Sequence, residues 1–147
     1  MTSWADFERA EPAFSAAVRR TFATRKHATM ATIDAGGAPR ISGTEVEFRP
    51  DGDIYLGMMV GARRAADLRA DPRVAVHCPT IDPPPEDPSA WPGEGKFAAL
   101  AQETALHSHL FRLDLRRVVL TRIADGGQGL EISSWQPGRP LRVVLRD

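Results

Sequence analysis

The sequence predicts a mainly β protein, an antiparallel barrel with flanking helices, and three observations lead there. Short β-type runs alternate with turn residues along most of the chain. Only one mid-chain segment reads as a helix able to cross between strands, which disfavours a parallel α/β sheet. The N-terminus is helical and amphipathic, so it packs on something else.

Residues 1–26 form the helical segment. Thr2 or Ser3 can cap a short first helix, and Pro12 fits the first turn of a second. Phe14, Ala17, Val18 and Phe22 then mark one apolar face. From residue 28 the period changes. Residues 28–33 read as a strand, and Asp34, Gly36 and Gly37 supply turn chemistry. Residues 40–48 are a second extended segment, 49–53 a turn, and 54–59 a third strand. Residues 61–70 favour helix, ended by Pro72, and 74–78 return to strand. The proline-rich stretch 79–95 is an irregular loop. Residues 109–123, 130–135 and 141–145 complete the set, giving about seven strands in one domain spanning 1–147, besides the run 96–103, where alanine dominates.

Composition removes several function classes. Nineteen basic and nineteen acidic residues give no net charge, which excludes the basic footprint of a nucleic-acid binder. No apolar run approaches the ~20 residues of a membrane span, and the acidic N-terminus is not a signal peptide, so the cytoplasm is the expected compartment. Cys78 is the single cysteine, so no intrachain disulfide forms. His77, Cys78, His107 and His109 show no convergent metal-ligand spacing, and no metal is expected. Nucleophile-elbow, Walker and Gly-x-Gly-x-x-Gly signatures are absent.

Four pieces in order carry a resemblance: residues 28–33, 34–40, 61–68 and 71–76. Together they resemble the pyridoxamine 5′-phosphate oxidase-like proteins, a group that includes flavin and deazaflavin oxidoreductases. The resemblance implies a six- to seven-stranded antiparallel split barrel of Greek-key type. It also implies a homodimer with the cofactor, FMN or the deazaflavin F420, in a groove between subunits.

Gly61-Ala62-Arg63-Arg64 is the candidate anchor. Free N–H groups at a helix start favour an anion, and guanidinium groups add bidentate bonds suited to phosphate. The plain alternative is two solvated arginines on a surface helix. By resemblance Arg63 and Arg64 hold the cofactor phosphate, and Arg40 reaches it too. The resemblance also lays the flavin ring along Ile41, Ser42, Gly43, Thr44 and Glu45 and across Gly57, Met58 and Met59. Gly43 permits close backbone approach to a ring, or marks a bulge. Trp135 serves either as a flavin contact or as core packing.

Two departures argue against true pyridoxamine phosphate oxidase activity. Glu45 stands near where oxidases carry a lysine, and Val144 replaces the histidine between Arg142 and Arg146. The connection 104–108 is also shorter than the helix relatives carry there, which leaves the groove mouth open or hands its closure to the 79–95 loop. The expected function is an FMN-dependent oxidoreductase transferring hydride to or from a small-molecule substrate. The alternatives are an F420-dependent reductase, a non-catalytic flavin-binding or storage dimer, and an interaction protein that has lost the cofactor.

Overall fold

The computed structural model describes residues 1–105 and 109–147. The chain opens with α1 (Trp4–Ala10) and α2 (Pro12–Phe22). Ser3 caps α1: its hydroxyl accepts the Asp6 N–H at 3.0 Å, and the Asp6 carboxylate accepts the Ser3 N–H at 2.8 Å. Pro12 occupies the first turn of α2, where its missing N–H costs nothing. The apolar face of α2 then buries Phe14, Val18 and Phe22. Phe22 packs on Phe97 at 5.5 Å, and Phe7 of α1 packs on Trp135 at 4.7 Å. Gly95 makes the close approach of α2 possible, since a Cβ there would fall 2.3 Å from Thr21 Oγ1.

The helices cover a nine-stranded antiparallel sheet: β1 (Ala28–Ile33), β2 (Pro39–Thr44), β3 (Val46–Phe48), β4 (Ile54–Gly57), β5 (Arg73–His77), β6 (Glu94–Glu103), β7 (Leu110–Ile123), β8 (Leu130–Trp135) and β9 (Arg142–Arg146). The central order is β2-β1-β5-β6-β7-β4-β3, with β8 and β9 extending from β7. β2 and β3 stand at opposite ends of that order yet are separated by Glu45 alone. One residue cannot bridge a flat seven-strand sheet, so the sheet must roll until its two ends meet. No ladder joins them, and the result is a split barrel with a seam at Glu45.

The seam explains the main difference from the expected elements. Residues 40–48 read as one strand, because nothing in their composition marks an end. The structure divides them at Glu45: β2 pairs with β1, and β3 pairs with β4. Elsewhere the strands lie where expected within a few residues. α3 (Arg63–Ala70) links β4 to β5 and contacts β1 and β6. The 79–95 region is irregular except for a 3-10 turn at Pro88–Ala90 and the start of β6 at Glu94. Of the 104–108 connection, Leu106, His107 and Ser108 lie outside the described residues. Among the described residues, no helix is long and apolar enough to cross a membrane.

Candidate functional site

A groove of about 520 Å³ opens along the seam. β2 and the residue after it contribute Gly43, Thr44 and Glu45; β3 contributes Glu47; β4 and the segment following it contribute Gly57, Met58 and Met59. Arg64, from the first turn of α3, and His27 also line it. Seven residues expected at the site, Gly43, Thr44, Glu45, Gly57, Met58, Met59 and Arg64, are therefore brought together by the fold.

The groove has an open floor. Gly43 pairs in register with Thr29, so it is a regular ladder position and not a bulge. A Cβ built on Gly43 meets no atom within 4 Å. One on Gly57 would come 3.4 Å from Glu47 Oε1. Met59 is 81% exposed, a high value for a thioether side chain.

Two polar atoms in the groove wall stand out. Arg64 Nε and Thr44 Oγ1 are buried and have no hydrogen-bond partner, and Thr44 as a whole is only 4% exposed. Leaving such a group unmet costs about 1–3 kcal/mol. Arg112 Nε is the third atom of this kind among the described residues, so two of three line one groove. The first turn of α3 is likewise uncapped by any side chain, with Ala62 at the cap position. Gly61, at φ +81, turns the chain into that helix.

The margins carry charge of both signs. Glu45 Oε1 lies 3.4 Å from His27 Nε2 and 3.7 Å from Lys26 Nζ. Glu47 Oε2 accepts from Arg49 Nη2 at 2.6 Å and Nε at 3.0 Å, which leaves Oε1 facing Gly57. Met58 is held from below: its N–H donates to the His109 carbonyl at 2.9 Å, one step beyond the β4–β7 ladder. His109 has φ +68, and its N–H donates to Glu103 Oε2 at 3.0 Å. Arg69 holds the same carboxylate from the last turn of α3. Those hydrogen bonds, Arg69 first, pull the Glu103 carboxyl down to about 2.

The remaining expected site residues sit elsewhere. Arg40 donates from Nε to Asp67 of α3 at 2.7 Å, and Thr32, its neighbour across the ladder, donates to the same oxygen at 2.7 Å. Burial alone would raise the Asp67 carboxyl; the Arg40 and Thr32 hydrogen bonds outweigh it and hold the group below its ordinary value. Arg40 thus ties β2 to α3. Ile41 points to the outside, 76% exposed, and Ser42 is half-buried. Arg63 is exposed and does not line the groove. Trp135 is 4% exposed and belongs to the aromatic core beneath α1. Cys78 is buried, and burial pushes its thiol up.

Sequence reasoning did not assign Glu47 or His27 to the groove. Alternation along 40–46 does put Thr44 on the face of Arg40 and Ser42. Only the rolled sheet makes that face a wall of the seam.

No family model matches the chain, and no curated protein matches it. Solved structures do. A pyridoxamine 5′-phosphate oxidase-related, FMN-binding protein from Nostoc punctiforme aligns over 93% of this chain and 96% of its own, at 10% identity and a TM-score of 0.64. Campylobacter jejuni ChuZ aligns over 86% of this chain and 61% of its own, at 11% identity and a TM-score of 0.59. A heme-binding protein from Mycobacterium smegmatis aligns over 88% of this chain and 56% of its own, at 16% identity and a TM-score of 0.52. The fold is that of the pyridoxamine 5′-phosphate oxidase-like split barrels.

Proposed function

We propose that the seam groove holds FMN and that the protein is a flavin-binding oxidoreductase acting on a small organic molecule. The observation that carries this reading is the pair of unmet buried atoms, Arg64 Nε and Thr44 Oγ1, in one groove wall. A ligand with an anionic tail would draw the Arg64 guanidinium toward the groove and give it an acceptor, and the uncapped N–H groups of α3 favour the same charge. Gly43 leaves space for a flat ring, with Gly57, Met58 and Met59 lining the same groove. When bound, flavin supplies hydride chemistry. The chain's own part is to bind, orient and exclude water. The deazaflavin F420 would use the same anchor.

The Mycobacterium smegmatis likeness adds a second reading, haem, because His27 and Met59 line the same groove and are ligand types for iron. A homodimer is part of the main reading. Ile41, Ala31, Ala75 and Ala98 stand in one register row across four strands on an apolar outer face, with Ile41 and Ala75 exposed and Ala31 and Ala98 half-buried.

The test is titration of the purified protein with FMN, F420 and haem, followed by mass spectrometry of whatever the native protein releases. FMN is expected to bind, and Arg64→Ala to weaken it by about 1.5–3 kcal/mol. A protein that takes up none of the three ends the cofactor reading. Light scattering on the same sample is expected to give twice the chain mass; the mass of one chain removes the dimer.

A further inference from the structure

Away from the seam, a second cleft of about 540 Å³ lies on the outer face of β7 and β8 and the turn before β9. Its floor is apolar, built from Val119, Ile132 and Leu141. Its rim carries three guanidinium groups, Arg117, Arg139 and Arg142, and no carboxylate is among the lining residues. The cleft shares no residue with the seam groove.

Of the fourteen arginines outside the cleft, eight lie within ion-pair distance of a carboxylate. Arg139 and Arg142 have no such partner among the described residues. Arg117 has a neutral one. With the Gln136 amide turned to satisfy both groups, its oxygen accepts from Arg117 Nε at 3.1 Å and Nη2 at 2.6 Å. An amide fixes the guanidinium plane without cancelling its charge, whereas a glutamate in that place would cancel it.

The neighbouring elements add no compensating acid. Lys96 of β6 stands opposite Val119 in the ladder. Glu94, two residues along, lies 3.6 Å from His77, and Glu131 is bonded to Arg122 at 3.0 Å. Three like charges gathered over an apolar floor repel one another, and an anion relieves that repulsion.

We propose that this cleft is a second ligand site and that it takes an organic phosphate whose body is apolar or aromatic. The guanidinium groups bind the phosphate oxygens in pairs, and Val119, Ile132 and Leu141 receive the body. Charge without a body, or a body without charge, uses half of the cleft.

Titration calorimetry at low salt tests this with ATP, pyrophosphate and adenosine as probes, without divalent metal. ATP is expected to bind, pyrophosphate at least threefold more weakly, and adenosine not measurably. Arg117→Gln with Arg139→Gln should weaken ATP at least tenfold. Gln136→Glu should weaken it in the same direction while every arginine remains and the fold gains an ion pair. Arg64→Ala should leave ATP affinity unchanged, and the cleft variants should leave FMN affinity unchanged, so the two sites stand or fall separately. The proposal is overturned if ATP does not bind, if pyrophosphate or adenosine binds as well as ATP, or if the cleft variants match the native protein. Loss of ATP binding in Arg64→Ala also overturns it.

Discussion

The barrel has a finished wall and an unfinished one. Along β5, β6 and β7 the ladders are long, with one register shift between Ala98 and Ala99, and Phe7, Phe22, Phe97 and Trp135 pack between sheet and helices. At the seam, β3 is three residues long, no ladder crosses Glu45, and Arg64 and Thr44 are left with unmet polar atoms. Met59 and Val60 are exposed there at 81% and 87%. The contrast bears on stability and binding: apart from Arg112 Nε the wall satisfies its own groups, while two of the three unmet buried atoms among the described residues fall at the seam.

The strongest way to break this contrast is to damage the wall alone. Phe7 is fully buried between Trp4, Phe14 and Trp135. Phe7→Ala should cost about 3–5 kcal/mol in a denaturant titration, from lost transfer energy and the cavity left behind. FMN affinity per folded molecule should stay as it was. A parallel fall in affinity would mean that wall and seam are one cooperative unit.

Asp67 lies where the two regions join, and its effect should be smaller. Asp67→Asn keeps the shape and weakens the Arg40 and Thr32 bonds, at a cost of roughly 2 kcal/mol. Arg40 should then be freer to reach an anionic ligand. FMN affinity that rises in Asp67→Asn and falls in Arg40→Ala would place Arg40 at the phosphate; no change in either would leave it a tether.

Glu103 gives a pH-dependent version of the same comparison. Its carboxyl sits at about 2 in the folded protein against 4.5 as the ordinary value, so the unfolded chain binds the proton more readily. The stabilisation is therefore whole above about pH 4.5 and is lost as pH falls toward 2. Glu103→Gln should lower the melting midpoint at pH 6, and the gap to the native protein should close with acidification. A gap that does not change with pH would show that the Arg69 and His109 bonds add nothing through charge.

What could be read from the sequence was mostly local. Ser3 and Pro12 mark helix starts because capping needs only nearby residues. Phe14, Val18 and Phe22 repeat at helical spacing, and the turns at 34–37 and 125–129 carry their glycines in plain view. What stayed hidden depends on distant partners. The strand break at Glu45 follows from sheet closure and has no compositional mark. Arg40 meets Asp67 across 27 positions, and nothing near either residue announces it. Trp135 ends a strand whose two faces look alike until α1 covers one of them. Arg63 and Arg64 read as equals, yet neighbours on a helix point about 100° apart, and only Arg64 lines the groove.

The smallest expected change in stability is the most informative about binding. Gly43 is an exposed, regular ladder position whose Cβ would meet nothing within 4 Å. Valine suits a strand, so Gly43→Val should shift the unfolding free energy by no more than about 0.5 kcal/mol. Its side chain would nevertheless stand in the space assigned to the cofactor ring. FMN affinity should fall at least tenfold while Arg64 and Thr44 keep their places. If FMN binds Gly43→Val as tightly as the native protein, the ring does not lie along β2. The seam would then hold only the anionic end of its ligand, with the body directed past Met59 into the space a second subunit would close.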